Sequence, residues 1–150
     1  MKIITNSIKR THFIKDLKLG TQKKFQIKIT KKLHYDFSKF TGDKSLIHSS
    51  KKFCKANNFK SIVGYGFLIT AILSKLYGMY FPGGSELCLQ QTCNFKKPYY
   101  INDILVFKLK LTQINKFNKL VTIETRVLRN SKELIFEGNA LLQLSLDKKK

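Results

Sequence analysis

Apolar residues along the chain follow two different periods. Phe25, Ile27 and Ile29 alternate with Gln26 and Lys28, a period of two that predicts a strand with one face turned to a core. Leu33, Phe37 and Phe40 then recur at helical spacing, so a short helix is expected directly after that strand. Thr41 to Ser50 has no period and contains Gly42, Ser45, Ser49 and Ser50, the composition of a loop. A second short helix is expected from Lys51 to Asn57. Between Gly66 and about Met79, apolar residues occupy positions 67, 68, 69, 71, 72, 73 and 76. That is nearly every face of a helix, and such a helix must be wrapped by other structure.

After Pro82-Gly83-Gly84 the period returns to two. Leu87, Leu89, Cys93 and Phe95 share one side of a predicted strand, and Leu105, Phe107, Leu109 and Leu111 share one side of the next. Val121, Ile123, Thr125 and Val127 follow, then Leu134, Phe136, Ala140, Leu142, Leu144 and Leu146. These long strands are separated by Asn102-Asp103, by residues 115–118 and by Asn130-Ser131, short polar breaks of the kind that make antiparallel connections. An antiparallel sheet with one apolar face needs a cover, and a helix apolar all round needs a wrapper. An α+β fold meets both needs when the antiparallel sheet curls around a long central buried helix, which is the hot-dog arrangement. Residues 1–15 show no sustained period and are expected to be a loose arm, residues 16–146 the domain, and residues 147–150 a solvated basic tail.

Composition narrows the function classes. The chain has 150 residues, 43% of them hydrophobic and 12% aromatic, which suits a folded domain and excludes general disorder. Its formal net charge of +20 attracts phosphates, acidic proteins and anionic surfaces. Yet the only arginines are Arg10, Arg126 and Arg129, and base or phosphate reading favours the arginine fork. The lysines are scattered, so nucleic acid is not the expected partner, whereas an anionic carrier is. Cys54, Cys88 and Cys93 are odd in number, and no signal peptide precedes them, which together suggest a reducing cytoplasm. They form no CxxC pair and are expected in the core; no metal is expected. His12, His34 and His48 are isolated from one another in sequence. Residues 62–82 carry a single charge, Lys75, but are interrupted by Gly64, Gly66, Gly78 and Pro82, so a buried helix is expected there and no membrane span.

Read singly, Gly42-Asp43 is a turn and His48 a surface histidine. Read together, Phe40-Thr41-Gly42-Asp43-Lys44-Ser45-Leu46-Ile47-His48 precedes Val63-Gly64-Tyr65-Gly66-Phe67-Leu68 and then Phe81-Pro82-Gly83-Gly84-Ser85. Gln91, Phe95-Lys96-Lys97-Pro98 and Asn102-Asp103 follow in order, and Asp16-Leu17-Lys18-Leu19-Gly20 leads in. In this order and spacing the chain from about Asp16 to Leu146 resembles the MaoC-like family of dehydratases and (R)-specific enoyl-CoA hydratases. The signature of that family, GDxNPxH, sets an Asp and a His around four residues. The resemblance implies a hydro-lyase that interconverts (R)-3-hydroxyacyl and trans-2-enoyl thioesters of coenzyme A or acyl carrier protein, needs no cofactor, and uses Asp43 and His48. Departures are visible. Ser45 and Leu46 replace Asn-Pro, Ser50 stands where an acidic residue is common, and Tyr65 replaces a His before Gly66. The first two bear on how stiffly the loop holds its pair, and Tyr65 on pocket shape and substrate choice.

Hydrating an enoyl thioester requires an activated water, a proton for the alpha carbon and stabilisation of charge on the thioester oxygen. Asp43 can accept a proton from water, and His48 can hold that water and take or give the other proton; the division of roles stays open. Gly66, opening the long helix, can aim its N–H at the thioester oxygen where the helix dipole favours negative charge. Ser74, further along that helix, matches a family serine near the catalytic acid and would hold it. Lys96 and Lys97 are expected to be solvated. The rival readings are a hot-dog acyl thioesterase and a non-catalytic basic module binding RNA or an acidic protein. A homodimer is expected, because a lone open sheet leaves its edges bare.

Overall fold

The computed structural model describes residues 14–84 and 86–144. Most of the expected arm, the tail, Ser85 and Leu146 lie outside them. Ile14–Asp16 form a 3-10 turn, and β1 (Gln22–Lys28) follows, with Phe25 and Ile27 fully buried. Thr30 then starts α1 (Lys31–Thr41) by accepting the Leu33 N–H on its side chain at 3.1 Å, satisfying one of the free first-turn donors. Gly42 ends the helix at φ 74°, a left-handed conformation that suits glycine. The segment expected to be irregular contains one helical turn, α2 (Leu46–Ser49). The expected second helix is α3 (Lys51–Ala56), and the long helix is α4 (Gly66–Met79).

Six strands make one antiparallel sheet: β1, then β2 (Glu86–Gln91), β3 (Asn94–Phe95), β4 (Ile104–Asn115), β5 (Leu120–Arg129) and β6 (Glu133–Leu144). Their order is β1-β4-β5-β6-β2, with β3 also beside β6. The inward rows on β4 and β5 match the expected ones, from Leu105 to Leu111 and from Val121 to Val127. Along β6, Phe136, Ala140, Leu142 and Leu144 are buried as expected, and Ile135 joins them where the β5–β6 register shifts.

Two expectations change. The strand expected over residues 87–95 is interrupted, because Thr92 approaches β6 so closely that a Cβ on Gly138 would lie 1.9 Å from its carbonyl oxygen. Thr92 N–H donates to the Asn139 carbonyl at 2.9 Å, and the Asn139 N–H donates to Thr92 Oγ1 at 2.8 Å, which replaces regular pairing. This interrupted ribbon also lies at the far edge of the sheet. The Asn102-Asp103 break therefore leads across β6 and β5 to β4 and is no hairpin, unlike the β4–β5 and β5–β6 turns. Leu87, Leu89 and Phe95 are consequently exposed. Cys88 is exposed too, while only Cys54 of the three cysteines is buried.

The sheet wraps α4 from one side. Leu68, Ile69, Ile72, Leu73, Leu76 and Tyr77 are buried against it, whereas Phe67, Ala71, Ser74, Lys75 and Met79 are exposed. Within one chain, the central helix is buried along a broad stripe and open along the other. The one polar side chain of the β5 inner row, Thr125, shares a 2.9 Å hydrogen bond with the Tyr77 hydroxyl. Among the described residues no helix is long and apolar enough to cross a membrane.

Candidate active site

The turn after α1 sets the position of Asp43. Gly42 turns the chain, and the Asp43 carbonyl then accepts two hydroxyl hydrogen bonds, from Ser38 Oγ and from the Tyr65 hydroxyl, each at 2.8 Å. The carboxylate itself is exposed and accepts the Ser45 N–H on Oδ1 at 2.9 Å. That bond, then the Ser45 side chain and, to a lesser degree, attraction to His48 hold the carboxyl below its ordinary range; a hydrogen bond to the charged form favours that form. Asp43 is thus ionised at neutral pH, and Ser45 is its main local partner.

His48 is half-buried on α2. Its Nδ1 lies 2.8 Å from the Val63 carbonyl oxygen, and a carbonyl only accepts, so Nδ1 carries the proton. In the neutral ring Nε2 is therefore the basic nitrogen. Behind it stands His34, fully buried on α1, whose Nε2 donates to the His48 carbonyl at 2.9 Å. The two histidines that are isolated in sequence thus meet. Between them lies the Tyr65 ring, with its centroid 4.8 Å from that of His34 and 4.1 Å from that of His48. Burial pushes the His34 ring below its ordinary value, which keeps it neutral.

A cleft of about 340 Å³ opens beside these residues, and both His48 and Gly66 line it, with Phe95, Lys96, Lys97 and Tyr99 among the other walls. Gly66 is the first residue of α4, and Tyr65 before it supplies no side-chain cap, so the positive end of the helix faces the cleft. The Phe95 ring lies over this glycine: a Cβ there would stand 3.0 Å from Phe95 Cε1. Tyr99 packs against Gly64 and donates its hydroxyl to the Tyr65 carbonyl at 2.6 Å. At the rim, the exposed Lys96 and Lys97 pair with Glu137 and Glu133 at 2.8 and 2.9 Å.

The residues singled out from the sequence fall into three places. His48 and Gly66 share the cleft; Asp43 does not line it, but its carbonyl is bonded by the hydroxyl of Tyr65, the residue between the lining Gly64 and Gly66, and it lies within electrostatic reach of His48. Ser74 lies elsewhere, in a smaller cavity of about 130 Å³ with Thr70, Tyr77, Glu86 and Gln91. Its expected contact with the acid is not made within this chain. Sequence reasoning overlooked His34. Its one available signal was a polar residue beside Leu33 and Phe37 on the inward side of α1.

Comparison with known proteins places this geometry in context. Residues 16–132 match the family model described as MaoC like domain. The chain is 24% identical over 135 residues to the 3-hydroxybutyryl-CoA dehydratase of Methylorubrum extorquens, covering 90% of this chain and 85% of that one. It is 26% identical over 110 residues to a mitochondrial 3-hydroxyacyl-[acyl-carrier-protein] dehydratase of Solanum lycopersicum, covering 72% and 66%. An unliganded R-hydratase structure from Pseudomonas aeruginosa superposes with a TM-score of 0.83 at 20% identity, covering 93% and 94%. The shared fold is the hot-dog.

Proposed function

Since the chain belongs to the MaoC-like family, we propose that it is a hydro-lyase interconverting (R)-3-hydroxyacyl and trans-2-enoyl thioesters, with Asp43 and His48 as its acid–base pair. The observation that carries this reading is the cleft lined by both His48 and the uncapped start of α4 at Gly66. A thioester oxygen at Gly66 would meet an N–H and a helix dipole where negative charge develops. A glycine is needed there, because substrate must pass between the backbone and Phe95.

The protonation states constrain the steps. Asp43 is ionised, and because the Nδ1 proton of His48 is committed to the Val63 carbonyl, Nε2 is the ring nitrogen left to exchange a proton with water. In hydration, the pair takes a proton from water as its oxygen bonds to the beta carbon. The double-bond electrons move toward the thioester oxygen, and the same proton is returned to the alpha carbon as the thioester re-forms. Dehydration runs these steps backward, and water leaves. The lysine-rich surface suits the anionic carriers, coenzyme A and acyl carrier protein. A homodimer is part of the proposal: β2, at an edge that is unpaired among the described residues, exposes 59% of Leu87 and 49% of Leu89, and a second copy would cover that edge.

The test is product analysis. Incubation with trans-2-enoyl-CoA esters of increasing length should consume the conjugated thioester and yield the (R)-3-hydroxyacyl ester, with no free thiol. Thiol release without hydration would instead identify a thioesterase. Inertness on both coenzyme A and carrier-protein esters would leave the binding-module reading.

A further inference from the structure

Two side chains with no part in the proposed chemistry hold both members of the pair, and they do so by their backbones. The Asp43 carbonyl accepts from the Tyr65 hydroxyl at 2.8 Å, and the His48 carbonyl accepts from His34 Nε2 at 2.9 Å. The Tyr65 ring is also wedged between the two imidazoles, 4.1 Å from one and 4.8 Å from the other, with Phe37 5.1 Å away on the same ring.

His34 stands out energetically. It is fully buried, and among the described residues its Nδ1 finds no hydrogen-bond partner. Burying an unpaired polar atom is unfavourable, and a leucine would fill an inward position on α1 without that cost. The hydrogen bond that His34 does make runs to the backbone of His48, from a helix position 14 residues earlier in sequence. Tyr65 is placed in the same way. It immediately precedes Gly66, so one residue links the loop carrying Asp43, the ring of His48 and the start of α4.

We infer that Tyr65 and His34 act as a clamp that fixes the Asp43–His48 loop relative to the N-terminus of α4, as positioning residues for the acid–base pair. The inference rests on the hydratase reading for its kinetic consequence and on geometry alone for its structural one. The clamp compensates for Ser45 and Leu46, which stand in the loop where the family has the stiffer Asn-Pro. A misplacement of about 1 Å is enough to slow a pre-organised site by about a hundredfold.

Four variants separate positioning from mere support. Tyr65→Phe keeps the ring but loses the bond to Asp43, Tyr65→Leu loses both, His34→Leu loses the donor to His48, and His34→Gln offers an amide N–H in place of Nε2. The expected result is a kcat lower by about tenfold in Tyr65→Phe and His34→Leu, on the scale of one lost hydrogen bond, with KM within about twofold and substantial recovery in His34→Gln. Nitrogen-15 NMR of the His48 ring without substrate should show the Nδ1–H tautomer in wild type and Tyr65→Phe, and a mixture in Tyr65→Leu. Equal kcat in all folded variants, or a His48 tautomer indifferent to Tyr65→Leu, overturns the clamp. If the wild-type protein turns over no enoyl thioester, the hydratase reading fails while the NMR result still decides the clamp.

Discussion

Small local bonds hold Asp43 and His48, the proposed acid–base pair. The carboxylate of Asp43 is held by the Ser45 N–H, and its folded pKa is depressed chiefly for that reason. The sign follows: this bond contributes stability above the unfolded carboxyl value of about 3.9, and the contribution is lost as pH falls through the folded value. A carbon-13 titration should show Asp43 inflecting below that reference. Ser45→Pro, whose ring suits the observed φ of −53° but carries no N–H, should raise the inflection; an unchanged titration would contradict the assigned cause. Gly66 gives a second test. Its added Cβ would press on the half-exposed Phe95 ring, which has room to shift, so Gly66→Val should lower the melting temperature far less than Phe107→Ala, expected to cost about 3–5 kcal/mol. It should still abolish turnover by blocking the helix start. Calorimetry beside an activity assay checks both halves. The motif residues were legible in sequence because their spacing is local. The His34–Tyr65–His48 stack was not, since it joins three segments through carbonyl acceptors that every residue possesses.

At the scale of elements, periodicity identified β1, α4 and the inner faces of β4, β5 and β6, because each buries a regular row of side chains; it also found α1, whose Leu33 and Phe37 are partly buried. It misplaced the ribbon of β2 and β3 because alternation records which residues are apolar, not whether a chain's own core or another surface covers them. Leu87, Leu89 and Phe95 alternate like core residues yet are exposed. The same ambiguity hid the open stripe of α4. The helical turn α2 was missed because four residues are too few to show a period. Its start offers a stability test. Leu46 is the first helical residue and 56% exposed, and Ser45 before it has the extended geometry (φ −53°, ψ 143°) that precedes proline. Proline at the first helical position gives up only an N–H with no intrahelical partner. Leu46→Pro should therefore stabilise the protein by about 0.4–1 kcal/mol in denaturant unfolding; a destabilisation of similar size would show that the loop depends on the Leu46 side chain.

The whole molecule combines a hot-dog sheet, a half-covered helix and a charge of +20. Leu87 and Leu89 on the edge strand, and Phe67 and Met79 on α4, are exposed to 59%, 49%, 71% and 47%, more apolar surface than a lone chain has reason to present. Light scattering at micromolar concentration should find a dimer, and Leu89→Lys should shift it toward monomer; a monomeric wild type would remove the dimer from the account. The chemistry has a more direct test in the rate at which the conjugated enoyl-thioester absorbance disappears, compared among the wild-type protein, Asp43→Asn and His48→Ala at equal concentration and confirmed fold. The account expects hydration by the wild type and a loss of about a hundredfold or more in each variant, the scale of a missing general acid–base group. Retention of most of the wild-type rate by either folded variant, on a substrate the wild type hydrates, would contradict the assignment of that residue.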